Sequence, residues 1–387
     1  MYSFVMHTLQ CGLAGPFIAL KLSNDGSSSL LSGVLISIVW GAVIVFGGIT
    51  PGIIRRIGVL AAHAGALCLT LIGFVCLVFV EHIAVYILGS AAFGIALSLR
   101  WISCDFLVIQ LSSESRIGRN VGLHETLMGG SIAIGPLMLG LAQFGYSIMF
   151  AGVAAALLLA GGLLKHSVRS WQRVSRSAQS DTPPRSRPIE KKTVSRALEW
   201  VLPSVFIGGF IEAAFIAFLP TLITSQGYSV AAGGFAGFIF GLGGTLLQPF
   251  LGMATRYTRT SSVQRACIVL ILLSLAGAML CIHSSYSLIS PGFLALVFFA
   301  GGWVGGTYTL AAIDCGLRLP AASIDLGIAK LATFYTAGAV VGPLIVGGLA
   351  SVIGHSALIY SSAGLAVGLC VFLFATPSKS TFSESSI

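Results

Sequence analysis

Five ionisable side chains lie inside long apolar runs of the sequence, and their types define the chemistry that is available there. They are His7, Arg100, Asp105, Glu212 and Asp314. A charge at the centre of a membrane helix costs about 2.5–3.5 kcal/mol on insertion scales, so each of these residues requires a reason for its presence. Carboxylates can bind cations or exchange protons, arginine can hold an anion with its planar fork, and histidine can relay a proton.

Glu212 lies near the middle of the apolar run Gly208–Phe215, too far from any loop for a short side chain to reach water. We interpret it as the first candidate for binding a substrate or a proton. The alternative is a structural role, in which the carboxyl group is held by a hydrogen bond to a neighbouring helix.

Arg100 and Asp105 share one predicted helix but not one face of it. At 100° per residue, five residues separate them by about 140°. Arg100 is either an anchor for an anion in a central cavity or a clamp that pairs with an acid on a neighbouring helix. Asp105 is closer to the end of its helix, which favours a role in gating.

Asp314 and His7 each allow two interpretations. Asp314 lies near the end of a later helix, in a place that roughly corresponds to Asp105, and is either a second gate element or a structural residue. His7 is a candidate proton relay because an imidazole titrates near neutral pH. A hydrogen-bonded histidine in the core is the alternative.

Motifs for catalysis and metal binding are absent from the sequence. No G-x-x-x-x-G-K-[ST] run is present to bind ATP phosphates, and neither H-E-x-x-H nor G-x-S-x-G occurs. The eight cysteines form no C-x-x-C pair. We therefore expect no metal, no cofactor and no enzymatic activity, and an ion gradient as the remaining source of energy.

The composition excludes the common soluble classes. Of 387 residues, 56% are hydrophobic and only 9% are charged, against roughly 25% charged in a soluble domain. The net charge of +9 does not indicate nucleic acid. The basic residues lie in clusters between apolar runs and are not interleaved with aromatic residues as in a nucleic-acid-binding face.

Twelve runs are long enough for membrane-spanning helices, which need about 20 apolar residues each. They lie near 3–20, 30–50, 57–80, 83–107, 121–143, 146–164, 198–222, 229–252, 264–284, 292–316, 327–350 and 355–376. We predict an all-α membrane protein with an N-terminal six-helix bundle (1–164), a basic linker (165–197), a C-terminal six-helix bundle (198–376) and a short tail (377–387).

The basic residues predict the orientation in the membrane. If residue 1 is cytoplasmic, nine Lys and Arg residues lie in the cytoplasmic loops and tail and nine in the linker, against Lys21 alone in the outer loops. This asymmetry follows the positive-inside rule. Both termini and the linker are therefore expected in the cytoplasm, with the linker attracted to anionic headgroups of the lipid bilayer.

The two halves repeat one motif. Ser131–Gly140 in the fifth predicted helix aligns with Gly338–Gly347 in the eleventh, at a constant offset of 207 residues. Each copy holds a Gly-Pro pair, Gly135-Pro136 in the first and Gly342-Pro343 in the second. Parallel repeats of six helices joined by a basic loop are the plan of one transporter architecture.

These motifs make the whole chain resemble the major facilitator superfamily. The segments 51–58 and 248–256, the latter with its Gln-Pro turn, are similar to the family's G-x-x-x-D-[RK]-x-G-[RK] loop signature. The run 116–122 is similar to its R-G-R stretch, and the fifth helix to the Gly/Pro motif of its exporters. Within the family, the chain is most similar to poorly characterised bacterial permeases.

The resemblance implies a function and a place. We expect a monomeric secondary transporter in the bacterial inner membrane that moves a small organic molecule by alternating access. Coupling to protons is expected, and export is favoured over import by the motif of the fifth helix. The alternative is a membrane sensor or binding protein that keeps the fold without transport.

The loop signatures depart from the family pattern, and this predicts a different latch. Arg55 and Arg256 occupy the positions of the family's acid, while Gly58 keeps a glycine of the signature. The resemblance brings the first loop towards the start of the eleventh helix and the second loop towards the fifth. We therefore expect two pairs of reversed polarity, formed by Arg55 or Arg56 with Asp325 and by Arg256 with Glu114.

Overall fold

The structure, a computed structural model, describes residues 1–110, 117–175, 191–284, 286–319 and 323–375. Within these ranges it does not describe the side chains of residues 105, 106, 109, 110, 117–122, 125, 167–175, 191–193 and 325. The described residues form helices joined by short connections, without strands.

Twelve helices of the described chain are long and apolar enough to span a membrane. We number them α1 (Tyr2–Asn24), α2 (Ser29–Gly47), α3 (Val59–Phe79), α4 (Ile83–Gln110), α5 (Ile117–Leu137), α6 (Tyr146–Ser175), α7 (Leu202–Ser225), α8 (Val230–Leu246), α9 (Thr260–His283), α10 (Pro291–Arg318), α11 (Ile324–Ile353) and α12 (Ala357–Ala375). A 3₁₀ segment, Met138–Phe144, continues α5. The predicted number and order of helices are confirmed.

Alternation of the helices defines two sides of the molecule. We call the side on which α1 begins, α6 ends and α7 begins the linker side, and the other the far side. Three far-side helix starts share one cap, in which a serine hydroxyl accepts a hydrogen bond from the backbone N–H three residues later. The pairs are Ser28 with Leu31 in α2, Ser229 with Ala232 in α8 and Ser290 with Phe293 in α10.

The loop signatures fold into short helices on the linker side. Thr50–Ile57 follows α2 and Gln248–Ala254 follows α8, and both have a proline in the first turn, where the missing N–H costs no hydrogen bond. Gly58 ends the first of them with φ +83°. Glycine adopts this left-handed backbone without a steric penalty, which explains why the signature keeps it.

The helices form two six-helix bundles that pack against each other through α1 and α7, α2 and α11, and α5 and α8. The central helix α7 is almost entirely buried, including Phe210, Phe215 and Phe218. Of the phenylalanines of α7, these three therefore belong to the core and do not face lipid.

A linker helix, Lys191–Leu198, precedes α7 and packs on the ends of α10 and α11. Val194 and Leu198 are buried against Cys315 and Leu331. The linker helix thus covers the linker-side ends of these two helices of the C-terminal bundle.

Candidate functional site

A small cavity lies between the two bundles. Its polar lining comes from four helices, two in each bundle: Gln10 and Cys11 in α1, Trp40 in α2, Glu212 in α7 and Tyr335 in α11. Apolar residues of α1, α2, α5 and α7 complete the wall. Its volume of about 20 Å³ has room for about one water molecule. The bundles are thus closed around this point in the structure.

Glu212 is half-buried because it borders this cavity. Its carboxyl group accepts a hydrogen bond from the Tyr335 hydroxyl. The Tyr335 ring packs edge-on against Tyr308, with ring centroids 5.6 Å apart. Of the described residues that line the cavity, Glu212 is the only one with a formal charge. Glu212 thus combines features of the two interpretations drawn from the sequence: it borders a cavity, and it has a hydrogen bond to a neighbouring helix.

Gln10 lies in a π-helical segment of α1, Thr8–Leu13, in which the helix is more loosely wound. Segments of this kind recur at functional sites. The Gln10 amide is engaged at both ends inside the N-terminal bundle. Its Oε1 accepts from Arg100 at 2.7 Å and its Nε2 donates to Thr70 Oγ1 at 2.8 Å.

Arg100 is completely buried and donates to three side chains of α1. Besides Gln10, its Nη1 donates to Ser3 Oγ at 2.7 Å and its Nη2 to His7 Nδ1 at 2.5 Å. Because a guanidinium only donates hydrogen bonds, His7 accepts through Nδ1. Arg100 is absent from the cavity wall, and its described partners are neutral, unlike the anion or the acid expected from sequence. His7 is buried in this network, also away from the cavity.

The Gly-Pro pairs lie at mirrored contacts between the bundles on the far side. A Cβ added to Gly33 of α2 would overlap the Pro343 carbonyl of α11, and one added to Gly234 of α8 would overlap the Pro136 carbonyl of α5. Nearby, Ser37 donates to the Val340 carbonyl at 2.6 Å. These contacts seal the far side of the cavity.

The glycines of the two pairs pack inside their own bundles. Gly135 of α5 lies against Gly12 of α1, and Gly342 of α11 lies against the Phe210 backbone of α7. Each Gly-Pro pair thus connects a central helix of its own bundle with a helix of the other bundle.

Asp314 lies in a cluster at the linker side of the C-terminal bundle. Its Oδ2 accepts from Arg318 Nε at 2.7 Å and from Trp200 Nε1 at 3.1 Å. The Arg318 guanidinium also lies over the Trp200 ring, 5.3 Å from its centroid. Lys330 donates to Ser195 of the linker helix. The structure therefore places Asp314 at the linker-side end of α10, against the turn that joins the linker helix to α7, and not on the cavity.

The remaining predicted gate residues fall partly outside the described residues. This applies to Glu114 and to the side chains of Asp105 and Asp325. Arg55, Arg56 and Arg256 are exposed on the short helices of the linker side, and no described acid lies within 4 Å of them. The predicted latch pairs stay predictions.

Metal binding has no described site in the protein. Among the described residues, no group of three or more His, Cys, Asp or Glu side chains is placed to hold a metal ion.

Of the polar residues of the cavity wall, Glu212 was singled out from the sequence as a site residue, whereas Gln10, Cys11, Trp40 and Tyr335 were not. The signal that could have found Gln10 is an uncharged amide in the middle of an apolar helix, where it needs hydrogen-bond partners. Trp40 and Tyr335 lie well inside their helices rather than at the interface belts where Trp and Tyr are common.

Comparison with known proteins identifies one family over most of the chain. The sequence profile of the Major Facilitator Superfamily matches residues 1–322. An uncharacterised MFS-type transporter, YfkF of Bacillus subtilis (strain 168), is 24% identical over 345 residues, which cover 86% of this chain and 83% of the relative.

The fold is also that of a solved structure. The crystal structure of a D-xylose-proton symporter superimposes with a TM-score of 0.69 over 96% of both chains. The sequence identity is only 13%, so this likeness concerns the arrangement of the helices.

Proposed function

The chain belongs to the major facilitator superfamily, and from this premise we propose that it is a secondary active transporter of a small organic molecule, driven by protons. The observation that supports the proposal most is the position of Glu212. An acid borders a cavity whose wall comes from both bundles, so rocking of the bundles would change which side of the membrane the acid faces.

Glu212 is proposed as the group that exchanges the proton. The carboxyl group has Tyr335 as a partner and borders a space for about one water molecule. A water there would connect it with solvent once the bundles part. Its partner Tyr335 belongs to α11, which also forms the far-side contact with α2. Protonation or deprotonation of Glu212 would therefore alter a contact with α11, one of the helices that have to move when the bundles part.

Export is the proposed direction. The fifth helix is similar to the Gly/Pro motif of the family's exporters, although Ser131 and Leu139 stand in place of two of its glycines. Pro136 of this segment contacts Gly234 of the other bundle. Such a tight far-side contact favours a resting state in which the cavity is loaded from the linker side. We further propose the bacterial inner membrane as the location, with the linker side in the cytoplasm.

The experiment is reconstitution of the purified full chain in proteoliposomes that enclose a pH-sensitive dye. A panel of cationic, neutral and anionic organic compounds is added under an imposed proton gradient. We expect at least one compound to cause proton movement. Glu212→Gln should abolish that movement while the protein remains monodisperse in detergent.

Glu199→Gln is the matched control, because it removes an exposed acid from the linker-side end of α7 without touching the cavity. It should leave proton movement unchanged. Normal proton movement in Glu212→Gln would contradict the proposed role of this residue. Saturable binding without any substrate-dependent flux, across the panel, would favour the non-transporting sensor instead.

A further inference from the structure

We propose that the cavity binds an organic cation with an apolar body. The inference rests on the proposed transport function and names the class of substrate. It is carried by three observations on the cavity wall: the sign of its charge, the aromatic rings beside that charge, and the position of the buried cation that contacts Gln10.

The charge of the described wall is purely negative. Glu212 is its single formal charge, and no described lysine, arginine or histidine lines the cavity. The Tyr335 hydroxyl that donates to Glu212 is uncharged, so this hydrogen bond leaves the negative charge of a Glu212 carboxylate uncompensated. A carboxylate in an apolar site without a cationic partner is stabilised by a ligand that brings the positive charge.

Aromatic rings and aliphatic side chains form the rest of the wall. Trp40 and Tyr335 reach the cavity from the two bundles, and both are half-buried. Faces of Trp and Tyr rings attract cations, and the attraction is stronger where water is excluded. Ile36, Val39, Ile132 and Ile216 provide apolar contact for the body of the ligand. A sugar would find few hydrogen-bonding groups among these residues.

The buried cation that contacts the wall residue Gln10 does not itself line the cavity. Arg100 is fully buried and its hydrogen bonds go to Ser3, His7 and Gln10 inside the N-terminal bundle. The Gln10 amide, which does line the cavity, is occupied by Arg100 and Thr70. An anionic ligand would therefore meet Glu212 without meeting the guanidinium.

The structure shows the site contracted, with about 20 Å³ of free space. A ligand of drug size occupies a pocket of about 300–1,000 Å³. Occupation therefore requires the bundles to separate on one side. The wall residues come from both bundles, so the contacts of a bound cation would change with that motion.

The test compares two probes of the same shape and opposite charge, tetraphenylphosphonium and tetraphenylborate. Their binding to the full chain in lipid nanodiscs is measured by equilibrium dialysis, and the partitioning into protein-free nanodiscs is subtracted. We expect saturable binding of the phosphonium ion and at least tenfold weaker binding of the borate. Equal affinity of the two probes would overturn the inference.

Variants assign the binding to this cavity. Glu212→Gln should weaken phosphonium binding at least tenfold, and Glu199→Gln should leave it within about twofold. Glu199 is the informative control because it borders a separate apolar groove with Phe206 and Phe334. Loss of binding in Glu199→Gln but not in Glu212→Gln would move the site to that groove and overturn the inference.

A second pair of variants covers the case in which Glu212→Gln does not fold. Trp40→Leu should weaken phosphonium binding about fivefold, while Trp40→Phe should retain most of it, because a phenyl face still attracts a cation. Equal affinity in both variants would contradict an aromatic contribution. If a neutral compound is transported with protons while neither phosphonium nor other cations bind, the proposed transport function is supported and the inference of a cationic substrate is wrong.

Discussion

At the scale of single residues, Arg100 and Glu212 show how two buried charges are accommodated differently. Arg100 donates to three side chains of α1 and more weakly to Met128 Sδ of α5, and it does not line the cavity. Glu212 accepts a hydrogen bond from Tyr335 and borders free space. The first arrangement is that of a structural tie between α1 and α4, and the second leaves a charge available for a ligand.

The tie predicts that Arg100 cannot be replaced by lysine without a loss of stability. An ammonium group lacks the planar fork that reaches Ser3, His7 and Gln10 together. Each buried hydrogen bond that is lost costs about 1–3 kcal/mol when its partner stays unsatisfied. We expect Arg100→Lys to lower the melting temperature in detergent by several degrees. The control Arg259→Lys, at an exposed arginine, should leave the melting temperature unchanged. A melting temperature of Arg100→Lys equal to that of the unmodified protein would refute the structural role of Arg100.

Sequence reasoning singled out these two charges but not their hydrogen-bonding partners. Hydropathy shows that Arg100 and Glu212 lie in membrane helices, because each interrupts a long apolar run. The partners of Arg100 are polar residues of α1, and their contact depends on how α1 packs against α4. A single sequence does not reveal which helices pack against each other, so Gln10 and Tyr335 were identified only from the structure.

At the scale of elements, the far-side contacts of α2 with α11 and of α5 with α8 form one design used twice. In each, a glycine of one bundle lies against a proline carbonyl of the other. The repeat at an offset of 207 residues made the prolines visible in the sequence. The opposing glycines, Gly33 and Gly234, are identified by the packing.

Substitution of Gly33 by alanine should open the far side. The added methyl group would overlap the Pro343 carbonyl, so α2 and α11 have to separate. We expect a cysteine introduced at Ile36, in the cavity wall, to react faster with a thiol reagent applied from the far side. Gly41→Ala is the matched control in the same helix, because nothing lies within 4 Å of a Cβ there. An unchanged rate in Gly33→Ala would contradict the seal.

On the linker side, the reversed latch remains a prediction for the state in which that side closes. We expect Arg55→Glu to favour the linker-open state and Asp325→Arg to restore closure in part. A solvent-exposed pair contributes about 0–1 kcal/mol, enough to bias an equilibrium between two states. A double-mutant cycle on the distance between spin labels across the linker side measures the coupling. Additive effects of the two changes would exclude the pair.

At the scale of the whole molecule, the charge asymmetry predicts that the linker side faces the cytoplasm. In a background without cysteines, a cysteine at Ser180 in the linker should be unreactive towards a membrane-impermeant maleimide added to intact cells. A cysteine at Ser23, exposed on the far side, should react. Labelling of position 180 from outside would reverse the topology.

The fold itself was accessible from the sequence to a large extent. Twelve apolar runs and the internal repeat specify the number of helices and the two bundles, and the fold is confirmed. The sequence did not indicate the π-helical winding of Thr8–Leu13 or the docking of the linker helix on α10 and α11. These depend on packing between helices rather than on local apolar content.

The π-helical segment of α1 changes the rotational register between the parts of the helix before and after it. One residue corresponds to roughly 100° of helical rotation, so the looser turn lets the ends face different directions. In the part before the segment, Ser3 and His7 accept hydrogen bonds from Arg100. In the part after it, Gly15 packs against α7. Deleting one residue between Thr8 and Leu13 would therefore turn one end out of register with its partners, although hydropathy and length would hardly change.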